Sequence, residues 1–392
     1  MVQVLELNTL RDASEDAADS ASLPARICVS GKLRDFFEIW PRSNEQGAAR
    51  CFAFQRADIL ELLCQTLIAD RKADPLFVAI LGNDGDPLAL VPLAIERQKQ
   101  ARVLTFLDGG LSDYNAPVLF PAVRSWDKKV IETIWRGIRE ILPPFDMAIF
   151  EKMPERVFDL ANPFVALSTS THPVSGHAIT LSGTWDELKN RLPHRENARY
   201  QIRRLNKLGK LSVEVADTSE KYDFLLDALM RQKSQRYLET RGVDGLDRPG
   251  YRACLQQAKR LLSPEGPVRL LGLALDGRII AASWGYVVGR RFYYLMLSFE
   301  GGEWRTYSLG RLMLNSLIEW CHAQGLEALD CGVGDEEFKL EYCDVSTPLH
   351  DAEIPITGKG RLHLLMRNIK RRLIKTKLWA ILRPIIKGRR RK

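Results

Sequence analysis

Between Val268 and Phe299 three strand-like runs stand almost back to back: Val268–Leu275, Arg278–Val288 and Arg291–Phe299. Only Asp276-Gly277 and Gly289-Arg290 separate them, and connections that short join antiparallel neighbours. A polar loop, Glu300 to Arg305, then leads straight into an amphipathic helix over Tyr307–Gln324. Leu309, Leu312, Met313, Ser316, Leu317 and Trp320 share one face of it. Gly325 ends the helix, and Leu329-Asp-Cys-Gly332 reads as the next strand. Meander, helix and returning strand together predict an α/β (α+β) unit with a mixed, mostly antiparallel sheet flanked by helices.

At 392 residues the chain is long for one domain, and a similar outline precedes this unit. Lys32–Trp40 and Ala57–Ala69 read as helices. Pro75–Leu81 and Pro87–Ile95 read as strands about a Gly82–Gly85 turn, with Val103–Leu107 a third strand, Trp126–Leu142 a helix and Met147–Phe150 a strand. Asn162-Pro163 and the Ser168–Thr171 run mark a boundary. Beyond it come strand His177–Leu181, a helix capped by Thr184 and interrupted at Pro193, a basic helix continuing to Leu208, strand Leu211–Val215 and helices Lys221–Arg241 and Arg248–Leu262. The expected organisation is a flexible arm over 1–25, an N-terminal unit over 26–165, a C-terminal unit over 166–357 and a basic tail over 358–392. The two units are alike in element order, with no residue-level repeat.

Hydrophobic residues make up 45% and charged residues 27%, ample for packed cores. The seven cysteines lack CxxC spacing and the six histidines lack HxxxH or HExxH spacing. Reduced thiols and no metal site are expected. No apolar run approaches roughly 18 residues, and Met1–Ala25 has neither the basic nor the apolar region of a secretory leader. A cytoplasmic protein is expected. The formal charge of +8 hides an asymmetry, because Arg361–Lys392 holds thirteen Lys/Arg and no Asp/Glu, leaving −5 on the remainder. In that tail Leu362, Leu365, Met366, Ile369 and Leu373 fall near one helical face, which Leu378, Trp379 and Leu382 can extend. A basic amphipathic helix points to an anionic surface, here the inner membrane, ahead of nucleic acid, along which an apolar stripe has no use. The competing reading is a helix packed on the body with its charges in water. Arg195, Arg199 and Arg203 step by four and form a second basic stripe, either a solvated face or a contact for an anionic acceptor or membrane.

The loop before the Tyr307 helix carries the chemistry. A helix start presents free N–H groups and the positive end of the helix dipole, which suit a pyrophosphate. Arg305 adds a cation, Ser308 a small hydroxyl and Gly310 room for close approach. Arg305-x-x-Ser308-x-Gly310 resembles the acyl-CoA loop of the GNAT superfamily, with Ser308 at a usual glycine position. Asp330-Cys-Gly332-Val-Gly334-Asp335-Glu336-Glu337-Phe338-Lys339 resembles the signature of CelD-type acetyltransferases of cellulose and exopolysaccharide synthesis, with Phe338 where tyrosine is usual. Those proteins carry a BioF2-like acetyltransferase domain and are related to the FemAB group. Val91–Ala94 with Leu111–Asn115, the arginine-rich stretch Asn197–Lys210 and Ala282–Gly285 share the likeness, which runs over roughly Phe36 to Pro355.

The resemblance implies two GNAT-like units and acyl transfer from acetyl-CoA or another acyl-CoA to an amine or hydroxyl of a glycan or lipid-linked acceptor. Ser298, Arg305, Tyr307, Ser308, Gly310 and Arg311 are the implied acyl-CoA contacts, with a backbone N–H near Ser298 polarising the thioester. Asp330, Asp335 and Glu336 are implied base candidates and Tyr342 a candidate acid. Asp330 pairing structurally, and Asp335–Glu337 as a solvated acidic run, are the plainer alternatives. Asp113, Tyr114, Asn115, Trp284 and Lys339 are implied acceptor contacts, although Ser112–Pro117 also reads as an ordinary polar turn and Trp284 as core. An aminoacyl-tRNA-dependent FemAB-like transferase and a catalytically silent binding subunit are the two other functions the resemblance leaves open.

Overall fold

The structure, a computed structural model, describes residues 2–7, 24–42 and 48–374. The fourteen longer strands, in chain order, are β1 (Gln3–Glu6), β2 (Arg26–Ser30), β3 (Asp74–Leu81), β4 (Pro87–Gln98), β5 (Ala101–Phe106), β6 (Met147–Pro154), β7 (Gly176–Thr180), β8 (Leu211–Val215), β9 (Val268–Leu275), β10 (Arg278–Val288), β11 (Arg291–Phe299), β12 (Ala328–Val333), β13 (Val345–Thr347) and β14 (Leu349–Pro355). The α-helices longer than one turn are α1 (Ala57–Leu63), α2 (Lys128–Ile141), α3 (Trp185–Arg191), α4 (Arg195–Leu205), α5 (Ser219–Arg241), α6 (Tyr251–Gln257), α7 (Leu309–Ala323), α8 (Glu337–Tyr342) and α9 (Gly358–Ile374).

Two large sheets repeat one topology. The first runs β1-β2-β3-β4-β5-β6-β14, with Ser170–Thr171 at its end, and the second β8-β9-β10-β11-β12-β7-β13. In each, three antiparallel strands are followed by a helix and a strand that returns parallel to the third: β5, α2, β6 in the first and β11, α7, β12 in the second. The parallel return needs a crossover long enough to cover the sheet, and an amphipathic helix supplies it. Thus α7 buries Leu309, Leu312, Met313, Leu314, Leu317, Ile318 and Cys321. β10 is buried along almost its whole length because helices and the other unit cover both its faces. That is why its sequence is apolar without alternation.

The units are not separate in packing. One core passes from the first sheet through Tyr222, Leu225, Leu226 and Leu229 of α5 to Trp284 and Tyr286 of β10, and a second lies beneath α7. β14, which follows the second sheet in sequence, joins the first one, pairing antiparallel with β6 from Leu349↔Pro154 to Pro355↔Met147. The range 166–357 therefore contains a strand of the first sheet.

Three local expectations change. Part of the expected arm is a strand: Gln3–Glu6 pairs with Val29–Arg26, and Leu7 is buried. Residues 8–23 of the arm lie outside the described residues. Lys32–Trp40 is only a 3-10 turn at Leu33–Phe36, stopped before Pro41 and held by Trp40, whose indole N–H donates to Gln55 O at 2.7 Å. The basic helix ends at Leu205, short of Leu208. Thr184 does cap α3, in a reciprocal box with Glu187.

Ala352 is fully buried in β14. Ala352→Asp should cost about 3 kcal/mol or more by burying an unpaired charge. Urea unfolding followed by the emission of Trp40 and Trp135 should move to lower denaturant, although the substitution lies at the far end of the chain.

Candidate active site

β11 and β12 pair in parallel only from Arg291–Tyr293 to Ala328–Asp330. β11 then runs on to Phe299 and β12 to Val333 with no further pairing between them. The two strands part into a wedge, on whose edges Leu297 O accepts from Lys233 and Gly332 O and Val333 O accept from Lys339.

At the Phe299 end the chain turns into α7. Glu300 is buried and held by Arg231 at 2.7 Å and Gln232 at 3.3 Å. A 3-10 turn, Gly302–Tyr307, follows, and Ser308 enters the left-handed region at φ 54 with no cap bond from its side chain. A hollow of about 330 Å³ opens here, lined by Arg236, Arg305, Arg311, Ser308, Gly310 and Phe299 among others. Gly310 suits the position because a Cβ there would stand 3.1 Å from the Phe299 ring. Three guanidinium groups thus stand together at a helix N-terminus, a setting whose field favours anions. Arg305 meets Glu239 at 2.9 Å and Arg311 meets Glu341 at 3.2 Å. Tyr307 lies under the Arg204 guanidinium, 4.3 Å from its ring centre, while Arg204 also donates to Thr306 O at 3.2 Å. The basic helix α4 thus braces the turn. Ser298 directs its hydroxyl to Gln232 at 2.8 Å.

At the other side of the wedge stands Asp330, fully enclosed. It accepts from Tyr114 Oη at 2.8 Å, Arg291 at 2.8 Å and the Gly332 N–H at 3.0 Å. Burial pushes its pKa up, against the pull of Arg291. All three partners are groups of the protein itself, the pairing that the plainer alternative expects. Tyr114 bridges from the first unit, and Asn115 braces that loop through Asp108 and Glu151 O, each at 3.1 Å.

Asp113 hangs over Gly332. Gly332 has φ +73, and a Cβ there would be 2.3 Å from an Asp113 carboxylate oxygen, so only glycine lets the two approach. Burial pushes the Asp113 pKa up to about 6; Asp330 adds to the rise, while Lys152, the Val333 N–H and Lys339 oppose it.

The remaining candidates divide. Asp335 is exposed, its pKa lowered first by His177, whose Nε2 lies 2.9 Å away, and then by the Ser175 N–H. Glu336 is exposed and pairs with Lys339 at 3.0 Å. Lys339 is buried and donates to Val333 O at 2.9 Å, fastening the turn after β12. Tyr342 sits in the second core beside Asn315, its pKa raised by burial. Trp284 is completely enclosed and donates to Tyr222 Oη at 3.0 Å, so the expected acceptor contact gives way to a core role.

Sequence reading missed Lys233 and Arg236 on α5. Lys233 Nζ donates to Leu297 O at 3.0 Å on the β11 side of the wedge, and burial draws its pKa down to about 8, helped by Arg241 and Arg236. Their i, i+3 spacing was the available signal, but α5 is polar over much of its circumference and nothing marked that side. Among the described residues no cluster of His, Cys, Asp and Glu could hold a metal ion.

Residues 193–340 match the family model described as an acetyltransferase (GNAT) domain. The segment runs from the start of α4 into α8 and includes the wedge and the turn at Ser308. No curated protein matches the sequence. Among solved structures, FemX is similar with a TM-score of 0.56 at 12% identity, over 82% of this chain and 96% of FemX. A conserved protein of unknown function from Bacteroides thetaiotaomicron is similar with a TM-score of 0.50 at 12% identity, over 83% of this chain and 97% of that one. At such identity these are likenesses of fold. The GNAT domain match thus falls on residues 193–340, and the chain as a whole is alike in fold to FemX.

Two measurements check the electrostatics. Tyr114→Phe should lower stability by about 2 kcal/mol, the worth of a hydrogen bond to a buried charge, in urea unfolding. For Asp113 the folded pKa, about 6, lies above the usual aspartate value of 3.8. The folded state therefore holds the proton more tightly, and this group's stabilisation is present below about pH 4 and lost as pH rises through about 6. Relative to wild type, Asp113→Asn should gain stability between those limits; a constant difference across the range contradicts the burial of Asp113.

Proposed function

We propose that the chain transfers an acyl group from acyl-CoA to an amine or hydroxyl acceptor in the wedge between β11 and β12. The observation that carries the reading is the parting of two parallel strands directly beside a hollow lined by Arg236, Arg305 and Arg311 at the start of α7. A pyrophosphate fits the hollow, and the pantetheine arm fits between strands whose edges offer hydrogen bonds in place of the missing ladder.

In this reading the acceptor approaches from the Asp113 side. Its nitrogen or oxygen attacks the thioester carbon, while a backbone N–H of β11 stabilises the oxyanion. Asp113 takes the acceptor's proton; its pKa of about 6 leaves it ionised but basic at neutral pH. Collapse breaks the C–S bond, and Lys233, with a pKa of about 8, returns a proton to the leaving thiolate. Asp330 and Lys339 act on position: the first fixes Tyr114 and its neighbour Asp113, the second the turn after β12. The likeness of the Asp330–Lys339 segment to CelD-type enzymes supports a glycan or lipid-linked acceptor in exopolysaccharide, cellulose or other envelope synthesis.

Isothermal titration with acetyl-CoA and with a long-chain acyl-CoA tests the reading. Wild type should bind one of them, and Arg236→Ala with Arg311→Ala should weaken binding by about tenfold or more, the worth of one charge-assisted contact or more. Absence of binding to any acyl-CoA, with binding of aminoacyl-tRNA instead, assigns the other donor. Thiol release with a panel of amines and sugars then tests Asp113→Asn, expected to lose about a hundredfold or more in kcat/KM.

A further inference from the structure

α9 presents itself the wrong way round for a surface helix. The side turned to the body is charged: Arg367 meets Glu353 at 2.8 Å and also pairs with Glu151, and Arg371 meets Glu353 at 2.7 Å. Leu364 packs on the small cluster of Ala101, Val103, Met147 and Ile149. The outward side holds Leu362, Leu365, Met366 and Ile369, which are 60%, 56%, 51% and 44% exposed. An amphipathic helix ordinarily buries such a stripe. Here ion pairs to the first sheet fix the helix so that the stripe faces outward.

Beside it, between α9 and the tip of the β4–β5 hairpin, lies a groove of about 440 Å³. Leu362 and Met366 give it an apolar wall, Lys99, Lys359 and Lys370 give it charge, and no carboxylate is among its lining residues. The sequence contains no Asp or Glu beyond Glu353, and residues 375–392 add eight more Lys/Arg. Seating that segment, or the same face of a second copy, on the groove would bring like charges together. Nucleic acid would satisfy the lysines and leave the stripe in water.

We propose that α9 docks on an anionic phospholipid bilayer, its Leu362–Ile369 stripe at the acyl boundary and Lys99, Lys359 and Lys370 on lipid phosphates. This surface is separate from the transfer site, and its test does not depend on the proposed reaction.

The test is co-sedimentation of the full-length protein with phosphatidylcholine vesicles, with and without phosphatidylglycerol. Wild type should bind the anionic vesicles, and its partitioning should fall by about tenfold or more for the pair Leu362→Glu and Met366→Glu and for the pair Lys99→Glu and Lys370→Glu. The first positions are exposed, so thermal melting should be unchanged. Leu362→Asn with Met366→Asn repeats the test without added charge if it is not. Wild type that ignores anionic vesicles, that binds neutral ones equally, or that is matched by both variant pairs overturns the proposal. Concentration-dependent self-association lost in the stripe variants, with no vesicle binding, assigns the face to a second copy.

Discussion

A buried carboxylate at Asp330 governs the architecture. Removing such a charge from water costs several kcal/mol unless donors surround it. Its donors come from three places: Tyr114 in the first unit, Arg291 at the start of β11 and the N–H of Gly332 on its own strand. These three bonds tie Tyr114 of the first unit, the start of β11 and the turn at Gly332 to one carboxylate. The strands β11 and β12 part immediately beyond Asp330. Asp113, adjacent to Tyr114, is carried over Gly332 by the same constraint.

The two cores divide the remaining work. The one shared between units holds α5 and α6 against both sheets, so Lys233 and Arg236 reach the wedge and hollow from a rigid helix. The one beneath α7 fixes the helix whose N-terminus lines the arginine-rich hollow. Strand exchange at the end of the chain, through β14, then makes the first sheet depend on residues that follow the second. The repeated topology is therefore two sheets but one packed body.

Much of this was legible in the residues. The meander and α7 follow from periodicity and short turns, which are local properties, and the arginine-lined turn follows from a polar loop preceding a helix. Long-range pairing was not legible. Nothing in Leu349–Pro355 announces a partner some two hundred residues earlier, and Tyr114 reads as a turn residue until Asp330 is seen at 2.8 Å. The same holds for charges: Asp330, Asp335 and Lys339 share one motif, yet one is a buried latch, one an exposed partner of His177 and one a brace for backbone carbonyls. The tail periodicity of α9 identified the apolar stripe, while its outward direction depends on Glu151 and Glu353, residues outside the helix.

The proposed transfer places acyl-CoA between the parted strands and the turn at Ser308. Amide hydrogen exchange at saturating acetyl-CoA tests it most directly, because a bound ligand protects the backbone groups it covers. Exchange should slow in residues 294–299, 308–311 and 331–334, with the α9 region unchanged. Saturation without protection in those segments, or protection confined to another part of the molecule, contradicts it.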